Sequence, residues 1–113
     1  MNLTTEKIGN VTVVILPGDQ LDASNAKEFK RDIVPLLEPR GKVVFDLAEL
    51  RFVDSSGLGA FLSSLRQLNS TGGDLKLCGM TRPVRALFEL VRMHKIFDIC
   101  GTKDEAIRSF QPK

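Results

Sequence analysis

The chain has no tryptophan and no tyrosine, and its 113 residues include one histidine and two cysteines. No aromatic residues interleave with basic ones to make a stacking platform, no long basic run appears, and the net charge is only +2. These absences argue against nucleic acid as a partner. The longest apolar stretch, Val11 to Leu16 interrupted by Thr12, is far short of the ~20 residues a membrane helix needs. The opening Met-Asn-Leu-Thr-Thr-Glu-Lys lacks the apolar core of a secretory signal, so a cytoplasmic location and no membrane insertion are expected. Cys78 and Cys100 lack metal-ligand spacing and are expected to be buried thiols acting as small hydrophobes.

Enzyme signatures are scarce as well. There is no Gly-x-Ser-x-Gly elbow, and the lone histidine, His94, lies between Arg92 and Lys95 at a helix end, where a surface residue is expected and not a catalytic base. The chain has no Gly-x-x-x-x-Gly-Lys phosphate loop, and Gly57-x-Gly59 lacks the third glycine of a dinucleotide turn. Asp46, Glu49 and Asp54 are close in sequence but show no metal-loop pattern. A non-enzymatic protein without metal or cofactor is expected.

What remains is the composition of a soluble globular protein, 42% hydrophobic and 27% charged, and a length that suits one domain over residues 1–113. Residues 2–8 alternate weakly, Gly9-Asn10 offers a hairpin turn, and Val11–Leu16 reads as a second strand. Ala26, Phe29, Ile33 and Leu36–Leu37 fall on one face of a first helix, which Asp22 or Ser24 can cap and Pro35 kinks or ends. Lys42–Asp46 reads as a buried central strand. Leu58, Phe61, Leu62, Leu65 and Leu68 define the clearest amphipathic helix, ended by Thr71-Gly72-Gly73. Leu75 and Leu77 alternate as in a strand. Thr81 caps a third helix whose core stripe is Val84, Leu87, Phe88 and Val91, with Pro83 in its first turn. Phe97–Cys100 is a short strand and Lys103–Phe110 a last helix. A hairpin followed by alternating helices and strands implies an α/β sandwich: a mixed sheet of four to five strands with about four helices.

One segment stands out: Asp54-Ser55-Ser56-Gly57-Leu58-Gly59, between the apolar Phe52-Val53 and the clearest helix. A helix start carries free backbone N–H groups and the positive end of the helix dipole, so it tolerates negative charge. A serine there can be a cap, a nucleophile or a phosphate acceptor. One cap is worth ~1 kcal/mol and needs only one of the three polar side chains. Gly57 and Gly59 each cost up to ~1 kcal/mol against alanine inside a helix. Glycines beside a hydroxyl leave it open to a second protein. Right-handed crossovers would bring this loop next to the loop that precedes the first helix.

Phe52-Val-Asp-Ser-Ser-Gly-Leu-Gly59, preceded by Asp46-Leu47-x-x-Leu50, resembles the signature of bacterial anti-sigma factor antagonists, single domains of the STAS type. The resemblance runs the length of the chain, through Gly18-x-x-Leu21-Asp22, Gly72-Gly73 and Val84-x-x-Leu87-Phe88. It implies a STAS-type sandwich and a partner-switching role in transcription regulation. By resemblance, Ser55 is the residue phosphorylated by a cognate anti-sigma factor serine kinase, and a PP2C-type phosphatase resets it. Asp22 matches an acidic position at the kinase contact, with Asp54, Ser56, Gly57 and Gly59 framing the serine. A STAS scaffold or ligand-binding module of a transport or other signalling assembly, without a phosphorylation cycle, is the alternative that the resemblance leaves open. The residues themselves leave Asp22 open between helix cap and partner contact. Phe52 and Val53 are expected in the core, and Arg82, Arg85, Arg92 and Lys95 on a solvated face.

Overall fold

The structure, a computed structural model, describes residues 1–110. Strands β1 (Thr4–Ile8) and β2 (Val11–Ile15) form an antiparallel hairpin. Gly9 turns it at φ +60°, a conformation glycine adopts without penalty. After the two-residue β3 (Gln20–Leu21) comes α1 (Ala26–Ile33), which tightens into a 3-10 turn over Val34–Leu36, where Pro35 sits. Then follow β4 (Lys42–Asp46), β5 (Phe52–Val53), α2 (Ser55–Ser70) and β6 (Asp74–Cys78). The chain continues with α3 (Arg82–Leu90), β7 (Asp98–Cys100) and α4 (Lys103–Arg108).

Five strands make one mixed sheet in the order β1-β2-β4-β6-β7, all pairs parallel except the hairpin. The period-2 alternation of the strands splits the core in two. Val14, Val43, Phe45, Leu75 and Leu77 pack with Phe29, Phe61, Leu65 and Phe88 of α1, α2 and α3. Val11, Val13, Val44 and Cys78 face the other way, towards Ala106 and Ile107 of α4. Covered on both faces, β4 has the unbroken apolar run of a central parallel strand. In the larger core the rings of Phe29, Phe45, Phe61, Phe88 and Phe97 form a connected series with centroids 5.8 to 6.2 Å apart.

The mixed sheet and four helices agree with the expected architecture, and the departures from the sequence reading are local. Val53 is buried, but Phe52, expected in the core beside it, is 55% exposed. Adjacent residues of a strand point to opposite sides, and Val53 takes the inward one. Val91 lies beyond the end of α3 and is exposed, so the buried residues of that helix are Val84 and Phe88. Thr81 precedes α3, but its hydroxyl donates to the Leu50 carbonyl at 2.6 Å instead of accepting a helix N–H. Cys78 is buried, and the apolar surroundings push its thiol up to about 12, whereas Cys100 beside it in the sheet is half-exposed. Lys76, the polar member of the β6 alternation, is also buried, its ammonium 3.0 Å from Asp98 Oδ2.

Candidate functional site

β3 and β5 lie outside the main sheet and pair with each other in parallel, Gln20 opposite Phe52 and Leu21 opposite Val53. Further backbone bonds extend the pairing: the Arg51 and Phe52 N–H groups both donate to the Asp19 carbonyl, at 2.7 and 3.0 Å, and the Asp54 N–H donates to Leu21 O at 3.3 Å. The loop before α1 and the loop before α2 therefore lie side by side, as the crossover argument anticipated.

Asp54 fastens them. It is the N-cap of α2, extended in backbone, and its Oδ1 accepts the Gly57 N–H at 3.0 Å. Its other oxygen accepts the Ala23 N–H of the neighbouring loop, also at 3.0 Å. The Gly57 hydrogen bond is the main influence holding this carboxyl below the usual carboxylate range, with the Ala23 bond adding to it and partial burial opposing it. Asp54 is thus ionised at neutral pH and committed to the backbone.

Because Asp54 does the capping, both serines are released from it. Ser55 is the first residue of α2 and exposed; Ser56 follows, half-buried. Among the described residues neither hydroxyl is bound to another protein group, unlike Ser64, whose Oγ donates to the Ala60 carbonyl at 3.0 Å. A free hydroxyl at a helix N-terminus is available to a second molecule, and its surroundings tolerate an anion.

The two glycines have different reasons to be there. A Cβ on Gly57 would lie 2.3 Å from Leu21 O and 2.8 Å from Val53 Cγ1, so the paired loops approach the helix more closely than any side chain allows. Gly57, expected to face a partner, is buried and has a packing role. Gly59 is exposed, and a Cβ there meets nothing within 4 Å. Nothing inside the fold requires glycine at that position.

Asp22 does not cap α1. Its Oδ1 accepts the Ser24 N–H at 2.9 Å and the Ser24 hydroxyl, closing a turn of its own. Asn25 occupies the position before the helix; its Oδ1 accepts the Asp22 N–H at 2.9 Å and its Nδ2 donates to Gln20 O at 3.0 Å. With Asp22, Ser24 and Asn25 in one four-residue stretch, several caps compete and the sequence does not select one. Asp22 ends half-buried beside the loop that carries Asp54 and Ser55. His94 follows α3 with its Nδ1 3.5 Å from the Phe88 carbonyl oxygen, and among the described residues no hydrogen bond joins it to Ser55. Among the described residues no group of histidine, cysteine and carboxylate side chains could hold a metal ion, and no helix is long and apolar enough to cross a membrane.

The profile of the STAS domain family matches residues 2–106 of the chain. An anti-sigma-B factor antagonist of Staphylococcus epidermidis is 31% identical over 106 residues, which is 92% of this chain and 90% of that protein. A STAS domain protein from Planctomyces limnophilus, described as an anti-sigma-factor antagonist, superposes with a TM-score of 0.87 at 17% identity, covering 96% of this chain and 97% of that one. The Bacillus cell fate determinant SpoIIAA, solved in its phosphorylated form, has a TM-score of 0.69 at 21% identity over 97% of this chain and 100% of its own. The chain belongs to the STAS domain family.

Proposed function

We propose that this protein is a non-enzymatic anti-sigma factor antagonist switched by reversible phosphorylation of Ser55. The observation that carries the reading is the division of labour at the start of α2: Asp54 caps the helix, leaving Ser55 exposed with an uncommitted hydroxyl. The kinship of relatives named as anti-sigma factor antagonists, and a relative in the fold known in a phosphorylated form, support it.

In this reading the unphosphorylated chain binds an anti-sigma factor serine kinase, which transfers the γ-phosphoryl group of ATP to Ser55 Oγ, with the hydroxyl proton leaving and ADP released. A PP2C-type phosphatase hydrolyses the phosphoserine ester with water, releasing inorganic phosphate and restoring the hydroxyl. Asp22, Asp54, Ser56 and Gly59 lie around the serine at the contact, and Gly57 contributes by fixing the loops. The added phosphate brings about −1.5 to −2 charge. At a helix N-terminus the fold accommodates it, but beside the Asp54 carboxylate, against a partner surface shaped for a neutral hydroxyl, it repels and is costly to desolvate. A penalty of ~3 kcal/mol weakens binding about a hundredfold.

Intact-mass analysis after incubation with the cognate kinase and ATP tests the reading. One added phosphoryl group mapping to Ser55 is the expected result. A kinase that binds the chain and leaves Ser55 unmodified overturns it.

A further inference from the structure

Phe52 is the most exposed of the seven phenylalanines, Phe110 being half-buried. Phe29, Phe45, Phe61, Phe88 and Phe97 are buried, whereas Phe52 leaves more than half its surface in water. Its outward direction is imposed by the backbone: β5 is two residues long, its register with β3 is set, and Val53 is the member that turns inward against Gly57. Folding therefore asks for an apolar side chain at position 53 and for nothing apolar at 52. The partner across the small ladder, Gln20, is exposed and polar. A large aromatic ring is held in water by a rigid backbone, anchored through the Phe52 N–H to Asp19 O at 3.0 Å.

The place of the ring matters more than its exposure. Phe52 and Ser55 are three residues apart, so their backbones lie within about 10 Å. A typical interface covers about 800 Å² of each partner, a disc of roughly 16 Å radius. A contact of that size centred on the Ser55 hydroxyl has the reach to take in Phe52 as well. We propose that Phe52 is a phosphorylation-independent anchor for the anti-sigma kinase, inserted in an apolar pocket beside the kinase's active-site mouth. The inference rests on the assignment of Ser55 as the kinase's substrate. It separates two tasks within one loop: the ring supplies affinity and partner choice, and the hydroxyl three residues later reports the phosphorylation state. Exposed aromatic rings that become fully buried are frequent energetic centres of interfaces, which suits this division.

The test uses the full chain and the serine kinase of its own genome that binds the wild type. Phe52→Gln and Phe52→Leu are compared with the wild type in melting temperature, Kd, and steady-state phosphorylation. Phe52→Gln is expected to melt within a few degrees of the wild type, to bind at least tenfold more weakly, and to raise KM for phosphorylation with kcat little changed; Phe52→Leu should recover part of the affinity. A Gln variant that binds within twofold of the wild type, or one that loses the fold, overturns the anchor, the second by showing that the ring is structural. If the wild type binds the kinase yet gains no phosphate on Ser55, the assignment of Ser55 fails instead, a result the wild-type arm alone reveals.

Discussion

Alanine at Gly57 and alanine at Gly59 should move stability in opposite directions. At Gly57 the new methyl carbon would stand 2.3 Å from Leu21 O, where ordinary contact begins at 3.4 Å, so a separation of more than 1 Å has to be found. No flexible side-chain tip is available to give way there. The obstacle is backbone, and it is the same carbonyl that accepts the Asp54 N–H. Displacing it pulls on the β3–β5 pairing and on the Asp54–Ala23 link together. Overpacking of this kind costs about 1–3 kcal/mol. At Gly59 the methyl group meets open space in the second turn of α2, and the exchange returns up to ~1 kcal/mol of helix propensity. With roughly 4 °C of Tm per kcal/mol for a domain of this size, Gly57→Ala should melt about 4–12 °C below the wild type and Gly59→Ala up to about 4 °C above it. Calorimetric scans of the three proteins read the difference. Kinase affinity should divide them in another way: Gly59→Ala, more stable, should nevertheless bind more weakly, because its methyl group occupies space the partner uses. A Gly57→Ala variant as stable as the wild type refutes the close-approach argument, and a Gly59→Ala variant that gains stability and keeps full affinity removes Gly59 from the contact.

Ser55→Asp should lose at least tenfold in kinase affinity with Tm nearly unchanged, while Ser55→Ala binds and resists phosphorylation; dissociation constants and melting curves measured side by side check both. Asp22→Ala should keep its Tm within about 5 °C of the wild type, because the Asn25 bonds to Asp22 N and Gln20 O remain, yet bind the kinase more weakly by calorimetry. Unchanged affinity would leave Asp22 as a turn residue alone. The Asp54 carboxyl titrates lower in the folded chain than its ordinary 3.8, so its stabilisation is full above that pH and is lost as pH falls through the lower folded value. Asp54→Asn, a good cap that no longer titrates, should flatten that acid limb in denaturation followed from pH 6 to pH 2, and a limb as steep as the wild type's would exclude Asp54 as a source.

Where an element is long enough to show a period, its residues announce it. The α2 stripe from Leu58 to Leu68, the β2 and β4 apolar runs and the Gly9 turn all stand where their patterns put them. The features that organise the site are shorter than any period. β3 and β5 are two residues each, so neither their pairing nor the outward turn of Phe52 could be read from alternation. Gly57 and Gly59 look alike in sequence, and only the position of Leu21, 36 residues upstream of Gly57, tells a packing glycine from a free one. Asp54 was legible as one of three possible caps. That it alone caps, using its second oxygen to hold the Ala23 loop, depends on a contact between distant segments.

The order of the strands has a consequence for how the chain is made. In β1-β2-β4-β6-β7 each strand of the main sheet joins the edge left by the one synthesised before it, so the sheet can grow in one direction as the chain leaves the ribosome. The hydrogen bonds that join the two Ser55 loops to each other, from Asp19 to Leu58, all come from residues upstream of β6, while Leu47 and Leu50 between those loops are also held from downstream, by Cys78 and Thr81. The last two Phe rings of the aromatic series, Phe88 and Phe97, arrive after that. The residues that pair the Ser55 loops with each other are therefore all synthesised before the strand that covers the edge of β4, and the segment after Ser70 closes the sheet and packs against them.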